Sequence, residues 1–404
     1  MPRGLRQRSS RVSATERRHP VHLSKSTLFS TFFFFMAFVQ TIVMTVLPVE
    51  ALRLLGDPRT VSIAYFGVGL AGFAGRLLIP LIVHIIGRFG ALILGVGATC
   101  GAGLLLVTET VWGLVPGLFL NVFALGCYEI VINLYVLDQI PRHELGRFEA
   151  KRIFVAALPF TVGPWLGINL QLQVAHWVPF AIAAGTACLL LLAFWISGVL
   201  KQAPARMEHL RSFNPLRYVP RFFAQPRLRL GWTLAAGRSS WWTMFQIYAP
   251  IFAVKSGLGA EIGGVIVSIG IGWMWIVPFW GWVGRRYGIR RLYGWGYLTS
   301  GVISIVAAGL MHSPVLGAIV ILAAAFATES IDGGGNTLYL RAVHPFERAE
   351  MTAVFASYRD MSQLIPPGIF AILLAIFDLD AVFITSGLMM LALAWLTRYI
   401  PRRF

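Results

Sequence analysis

"ATESIDGGGNTLYL", residues 327–340, puts two carboxylates, three consecutive glycines and an asparagine into a run otherwise apolar enough to cross a lipid bilayer. A charge near the centre of such a run costs about 2.5–3.5 kcal/mol on insertion scales. Either the run is not a span, or its polar groups face something other than lipid. The rest of the chain decides. It is 57% hydrophobic and 13% charged, with a mean hydropathy of +0.72, whereas soluble domains carry about 25% charged residues. The apolar excess falls into twelve blocks of roughly twenty residues, the length that spans a hydrocarbon core. They cover about 27–48, 61–85, 90–108, 112–137, 153–173, 177–199, 230–254, 262–283, 292–311, 315–338, 351–376 and 380–399. Backbone groups in lipid must bond within their own segment, so runs this long are helices. The sequence predicts an all-α membrane protein with twelve transmembrane helices.

The net charge of +17 invites a nucleic-acid reading, but its distribution points elsewhere. With the N-terminus inside, 28 of the 34 lysines and arginines fall in cytoplasmic segments. Arg53, Arg59 and Lys255 lie outside, and Arg76, Arg238 and Arg359 lie within spans. That asymmetry is the positive-inside rule and predicts both termini in the cytoplasm. Basicity then reports topology and contact with membrane lipids, with no nucleic-acid partner expected. The 1–25 tail reads as a disordered basic leader, and the apolar run after it is too long for a signal-peptide core. Cys100, Cys127 and Cys188 sit inside spans, so no disulfide framework is expected.

The segment 200–229 divides the spans six and six and reads as a cytoplasmic linker lying along the inner leaflet, with seven basic residues, one acid and four prolines. The parts on either side, 26–199 and 230–404, echo each other. "PVEALR" at 48–53 matches "PIFAVK" at 250–255. Pro80 with Arg88-Phe89-Gly90 matches Pro278 with Arg286-Tyr287-Gly288. Glu129 and Asn133 match Asp332 and Asn336. All three matches are offset by about 200 residues, as one duplication into two parallel six-helix repeats requires.

On these features the chain resembles the major facilitator superfamily of secondary transporters from about residue 26 to 399. The family's loop motif, G-x-x-x-D-R-x-G-R-[RK], survives in part. "VHIIGRFGAL" keeps Arg88 and Gly90 but has Val83 for the glycine and Gly87 for the aspartate. "GWVGRRYGIRR" keeps Gly281, Arg286, Gly288, Arg290 and Arg291 but has Arg285 at the aspartate position. Both aspartates are gone, so that part of the family's gating network must be replaced or absent. "GPWLG", with Gly163-Pro164 and Gly167, is what remains of the span-5 antiporter motif.

Seven charges fall well inside predicted spans: Arg76, Glu129, Arg238, Glu329, Asp332, Arg359 and Asp360. Unpaired, they would cost roughly 20 kcal/mol, more than the whole stability of a typical fold. They must face one another or water. At 1.5 Å per residue, all lie about 9–14 Å from the cytoplasmic end of their helix. The resemblance implies that Glu129, Arg238, Glu329 and Asp332 belong to a central cavity, and that Arg76 and the Arg359–Asp360 pair form an interface gate. Arg88 and Arg286 of the loop motifs join that gate. An acid whose arginine moves away can change protonation, so Glu129, Asp332 and Glu329 are the proton-coupling candidates. The substrate-contacting candidates are Gln40, Asn133, Arg238, Trp242, Gln246 and Asn336. The three glycines suit either a break beside a ligand or close packing against the span-11 helix.

The expectation is a proton-coupled secondary transporter, monomeric, in a bacterial cytoplasmic (inner) membrane. It would move a small amphipathic organic solute by alternating access, with export preferred on the "GPWLG" remnant. Proton-coupled uptake of an organic anion is the alternative, with a non-transporting sensor or scaffold behind it. Neither a P-loop, H-E-x-x-H nor G-x-S-x-G occurs, so no cofactor, metal or catalytic activity is expected.

Overall fold

Short polar signals set where the apolar runs begin and end. The computed structural model describes residues 24–141, 144–199, 218–344 and 348–401, which hold helices and turns but no strand. Most of the basic tail and the 200–217 part of the linker lie outside the described residues. Ser24 opens α1 (Lys25–Ile42) by accepting a hydrogen bond from the Thr27 backbone. After a short break, α2 (Val46–Leu55) closes at the left-handed Gly56. Pro58 then starts α3 (Pro58–Val107), at a position where its missing N–H costs nothing.

The predicted spans 61–85 and 90–108 are two limbs of α3. They meet at Gly87, whose φ of 78° and ψ of 169° only glycine adopts readily. The chain continues through α4 (Val111–Gln139), capped by the Thr110 hydroxyl, α5 (Leu145–Gln173) and α6 (Val178–Ile196). A short α7 (Val219–Ala224) precedes α8 (Pro226–Lys255) and α9 (Ala260–Gly272). A 3-10 turn at Trp273–Ile276 leads into α10 (Val277–Tyr287), and Gly288, at φ 93°, turns the chain into α11 (Ile289–Gly309). In the sequence match Gly288 pairs with Gly90, whereas the turn in α3 falls three residues earlier, at Gly87. The chain ends in α12 (Pro314–Asp332), α13 (Thr337–Ala342), α14 (Arg348–Leu373) and α15 (Asp380–Leu396).

Eight helical segments among the described residues are long and apolar enough to cross a membrane. α8, α11 and α14 fall outside that set. α8 carries Arg238, α14 carries Arg359 and Asp360, and α11 is interrupted by glycine, serine and tyrosine. In membrane bundles such helices are the ones that face other protein.

α1 packs on α5 and α6, α3 on α4 and α6, and α11 on α12 and α15, while α8 touches α9, α14 and α15. The two parts of the chain meet where α5 lies on α9 and α3 lies on α14. Small residues allow these approaches. A Cβ at Gly167 would stand 1.7 Å from the Ile42 carbonyl oxygen, and one at Gly264 2.4 Å from Ile168. "GPWLG" is thus the surface by which α5 seats α1 on one side and α9 on the other. At the end where α2, α5 and α8 finish, Lys255 donates to the Gly56 carbonyl at 3.3 Å, and Ser62 and Tyr248 share a 2.5 Å hydroxyl contact. Asn169 donates to Glu261 at 3.3 Å beside them.

The opening stretch differs from a plain span. α12 stops at Asp332, and Gly333 to Asn336 form a turn before α13. The glycines do pack closely, but not against the span-11 helix α14. A Cβ on Gly333 would lie 2.3 Å from Trp280 of α10, and one on Gly334 would lie 2.2 Å from Tyr293 of α11. Break and packing are one feature: the turn is where backbone meets backbone.

Gly167→Val should lower stability by at least about 2 kcal/mol through overpacking. Gly185→Ala, where nothing lies within 4 Å, should leave the melting temperature in detergent unchanged.

Candidate functional site

A cavity of about 500 Å³ opens between the two parts of the chain. Its walls come from α1 (Gln40), α3 (Tyr65, Arg76), α4 (Asn121, Glu129), α8 (Trp242, Gln246) and α14 (Arg359, Asp360, Gln363). One wall is a linked set of charges. Arg76 Nη1 lies 3.2 Å from Asp360 Oδ1 and 3.5 Å from Glu129 Oε2, and Arg359 Nη1 lies 3.0 Å from Glu129 Oε1. Two arginines and two acids neutralise each other across α3, α4 and α14. The acid at 129 therefore joins the group expected at the interface, and that group lines the cavity instead of standing apart from it.

A second cluster lies beside the first. Arg238 Nε is 3.2 Å from Asp332 Oδ1, and Trp242 Nε1 donates to Asp332 Oδ2 at 2.8 Å. Arg238 and the Tyr293 hydroxyl both donate to the Gly335 carbonyl, at 3.3 and 2.8 Å. The glycine turn thus presents a carbonyl that two side chains grip. Arg238 is 7% exposed, and Glu329, one turn before Asp332, is 4% exposed with no hydrogen-bond or ion-pair partner among the described residues. Ser239 and Ser362 join hydroxyls at 2.7 Å between α8 and α14, and Ser362 also donates to the Arg359 carbonyl, which bridges the clusters.

The candidates divide accordingly. Gln40, Trp242 and Gln246 line the large cavity, as expected of substrate contacts. Asn133, Arg238 and Asn336 do not. Arg238 and Asn336 face a smaller recess with Tyr293 and Tyr297, because Asp332 draws the arginine back against α12. Asn336 Oδ1 is buried there without a partner. Asp332 and Glu329 are not among the residues that line the large cavity either. Arg88 pairs with Asp138 at the end of α4 and lies over the Tyr135 ring, 5.2 Å from its centre. The loop arginine thus has an acid on the neighbouring helix as its partner. Arg286 lies over Trp282 and Tyr287, 5.6 and 5.9 Å from their ring centres. Among the described residues neither loop arginine has a partner in the other half of the chain.

Sequence reasoning missed Asn121, Gln363 and Tyr65, which carry no pattern that separates them from packing residues. It also missed a cluster at the sealed end. Arg53 binds Glu50 at 2.5 Å and Glu109 at 2.6 Å, while His176 sets Nε2 3.2 Å from Glu50 and Nδ1 3.4 Å from Glu109. A readable signal existed: the acid inside "PVEALR" sits just past a span and three residues before an arginine. The Arg53 hydrogen bond, with His176 nearby, holds the Glu109 carboxyl below its usual range.

No family model and no curated protein sequence matches the chain. Solved structures do. A POT family transporter in complex with 5-aminolevulinic acid aligns at TM-score 0.71 and 14% identity over 92% of this chain and 94% of that one. The peptide transporter POT in complex with sulfate gives 0.71 and 14% over 93% and 94%. The nucleoside transporter NupG gives 0.69 and 14% over 93% and 98%. The chain is an integral membrane protein with the major facilitator fold.

Removing Asp332 strands a nearly enclosed guanidinium. Asp332→Ala should destabilise by about 3 kcal/mol, and the Arg238→Met, Asp332→Leu pair should recover most of the loss in thermal unfolding. At the sealed end a lowered carboxyl stabilises above its unfolded value of 4.5 and loses that contribution as pH falls through the folded value. Stability should therefore decline on acidification below about pH 4.5, and less steeply in Glu109→Gln; the exposed pair makes the difference small.

Proposed function

We propose that the chain is a proton-coupled secondary transporter working by alternating access. In this reading, residues 26–199 and 230–404 are two six-helix halves, each a repeat of the other. Residues 200–229 link them in the cytoplasm, with both termini on that side. The supporting observation is the set of acid–arginine pairs walling a solute-sized cavity between halves that touch through small residues. The two pairs that cross between the halves, Arg76–Asp360 and Arg359–Glu129, can part when the halves rock. A carboxylate that loses its arginine in a low-dielectric interior is costly as an anion and becomes stable by taking up a proton.

Glu129 is the first coupling group, since Arg359 comes from the other half and is carried away from it in this scheme, while Arg76 moves with it. Asp332 is the second, and Glu329 behind it is the site to which a proton can pass. Arg76, Arg359 and Asp360 act as the gate. Gln40, Trp242 and Gln246, with Asn121 and Gln363, offer amides and an aromatic face to an amphipathic solute. Arg238 moves from substrate contact to coupling. The Lys255–Gly56, Ser62–Tyr248 and Asn169–Glu261 contacts close the outer end, so the cavity opens towards the cytoplasm.

Export is the first reading of direction, on the "GPWLG" segment. Uptake is the second, favoured by the peptide, nucleoside and 5-aminolevulinic acid named for proteins of this fold. An organic anion as cargo fits less well, because Arg76, Arg238 and Arg359 are each paired with an acid.

In proteoliposomes enclosing a pH-sensitive dye, a panel of dipeptides, nucleosides and amphipathic cations should yield a solute that moves protons with it. Glu129→Gln and Asp332→Asn should each cut gradient-driven flux at least about tenfold while solute exchange without a gradient persists. Normal pumping by both variants would refute the coupling assignment. The sign of proton movement on adding solute outside separates uptake from export.

A further inference from the structure

The glycine turn has a second face, away from the central cavity. There a separate cavity of about 310 Å³ lies between the end of α10, the start of α11 and the break that separates α12 from α13. Its walls are largely glycine, with Gly281, Gly333 and Gly334 bringing bare backbone to the surface. Its functional side chains are Arg285, Arg341 and the Thr337 hydroxyl. Among the described residues no carboxylate lines it. Arg285 is exposed and has no hydrogen-bond or ion-pair partner among the described residues. Its Nη1 lies 3.5 Å from where a Cβ on Gly281 would stand, so the guanidinium folds back over the cavity wall.

The sign of this site is the opposite of what the loop motif leads one to expect. Position 285 is where the resembled family carries an aspartate, and an arginine there turns an acid-bearing loop into a basic one. The ends of α10 and α12 also bring carbonyls to the cavity, so the attraction for an anion must come from the guanidinium groups. Arginine suits a phosphate because its planar fork donates two parallel hydrogen bonds to two phosphate oxygens. Trp282 and Tyr287, chain neighbours of the lining residues Gly281 and Gly288, are 45% and 54% exposed, as aromatic residues are at the level of lipid headgroups. Arg290 and Arg291 follow directly.

We propose that this cavity binds a phosphate-bearing group through Arg285 and Arg341, with Thr337 as a third donor. The phosphate is that of an anionic phospholipid headgroup in the inner leaflet or of a free phosphate. Occupancy bridges α10 to α13 across the turn that follows Asp332, and so stiffens the break on which the Arg238–Asp332 pair is mounted.

The test is native mass spectrometry of the full chain in detergent. Dioleoylphosphatidylglycerol and dioleoylphosphatidylcholine are titrated separately, and inorganic phosphate is added as competitor or alone. Phosphatidylglycerol should be retained over phosphatidylcholine. Arg285→Gln, at an exposed side chain with no hydrogen-bond or ion-pair partner among the described residues, should weaken its binding about fivefold, and adding Arg341→Gln should bring the loss to about tenfold or more. Arg291→Gln removes the same charge outside the cavity and should bind as the parent does. Displacement of the lipid by millimolar phosphate, or retention of phosphate alone lost in Arg285→Gln, upholds the site and identifies phosphate itself as the recognised group. Equal losses in Arg285→Gln and Arg291→Gln would reduce the effect to general surface charge and overturn the proposal. So would unchanged lipid and phosphate binding in Arg285→Gln, whether or not the double variant folds.

Discussion

An ionised group inside an apolar bundle must have an opposite charge at hydrogen-bond distance, and in this chain that requirement decides which helices are neighbours. Arg76 on α3 needs Asp360 on α14; Glu129 on α4 needs Arg76 and Arg359; Arg238 on α8 needs Asp332 on α12. Once those helices stand together their polar faces enclose a cavity, and the remaining faces carry exposed Leu104, Trp195, Ile372 and similar side chains outward. Pairing is thus a packing rule as well as an electrostatic one. A fold with few polar side chains uses them to fix which helix lies beside which, because apolar contacts in lipid discriminate weakly between alternatives.

Much of this was legible in the amino-acid sequence, for a physical reason. The cost of a charge in a span is large, so each of the seven charges announced that its helix faces inward. The structure bears this out for Arg76, Glu129, Arg238, Asp332, Arg359 and Asp360, all in ion pairs. The partners were less legible. Glu129 and Asp332 match each other in the internal echo, but the first is served from α3 and α14 and the second from α8. Pair identity depends on rotamers and helix rotation, which spacing along one chain does not record. Uncharged lining residues such as Asn121 and Gln363 were invisible because one amide in a span is tolerated at modest cost. Of the Glu50–Arg53–Glu109–His176 cluster only the Glu50–Arg53 pair left a local signal, because Glu109 and His176 come from other helix ends.

The triple glycine shows how one short motif can satisfy two demands. Close approach to Trp280 and Tyr293 requires the absence of side chains at Gly333 and Gly334. The same absence weakens the helix, and the freed Gly335 carbonyl becomes the acceptor for Arg238 and Tyr293. A polar backbone group at this depth is tolerated because protein surrounds it. Asp332, the last residue before the turn, is thereby held on a segment that has helix on one side only.

The backbone at Gly87 has an evolutionary corollary. A residue with any side chain is strained at φ 78° and ψ 169°, so the loop acid of related folds is not restored there by one substitution. Restoring it requires reshaping the hairpin between the limbs of α3 as well. The Arg88–Asp138 pair reads as the way round this obstacle: the negative charge resides on the neighbouring helix, and the sharp reversal is free to stay.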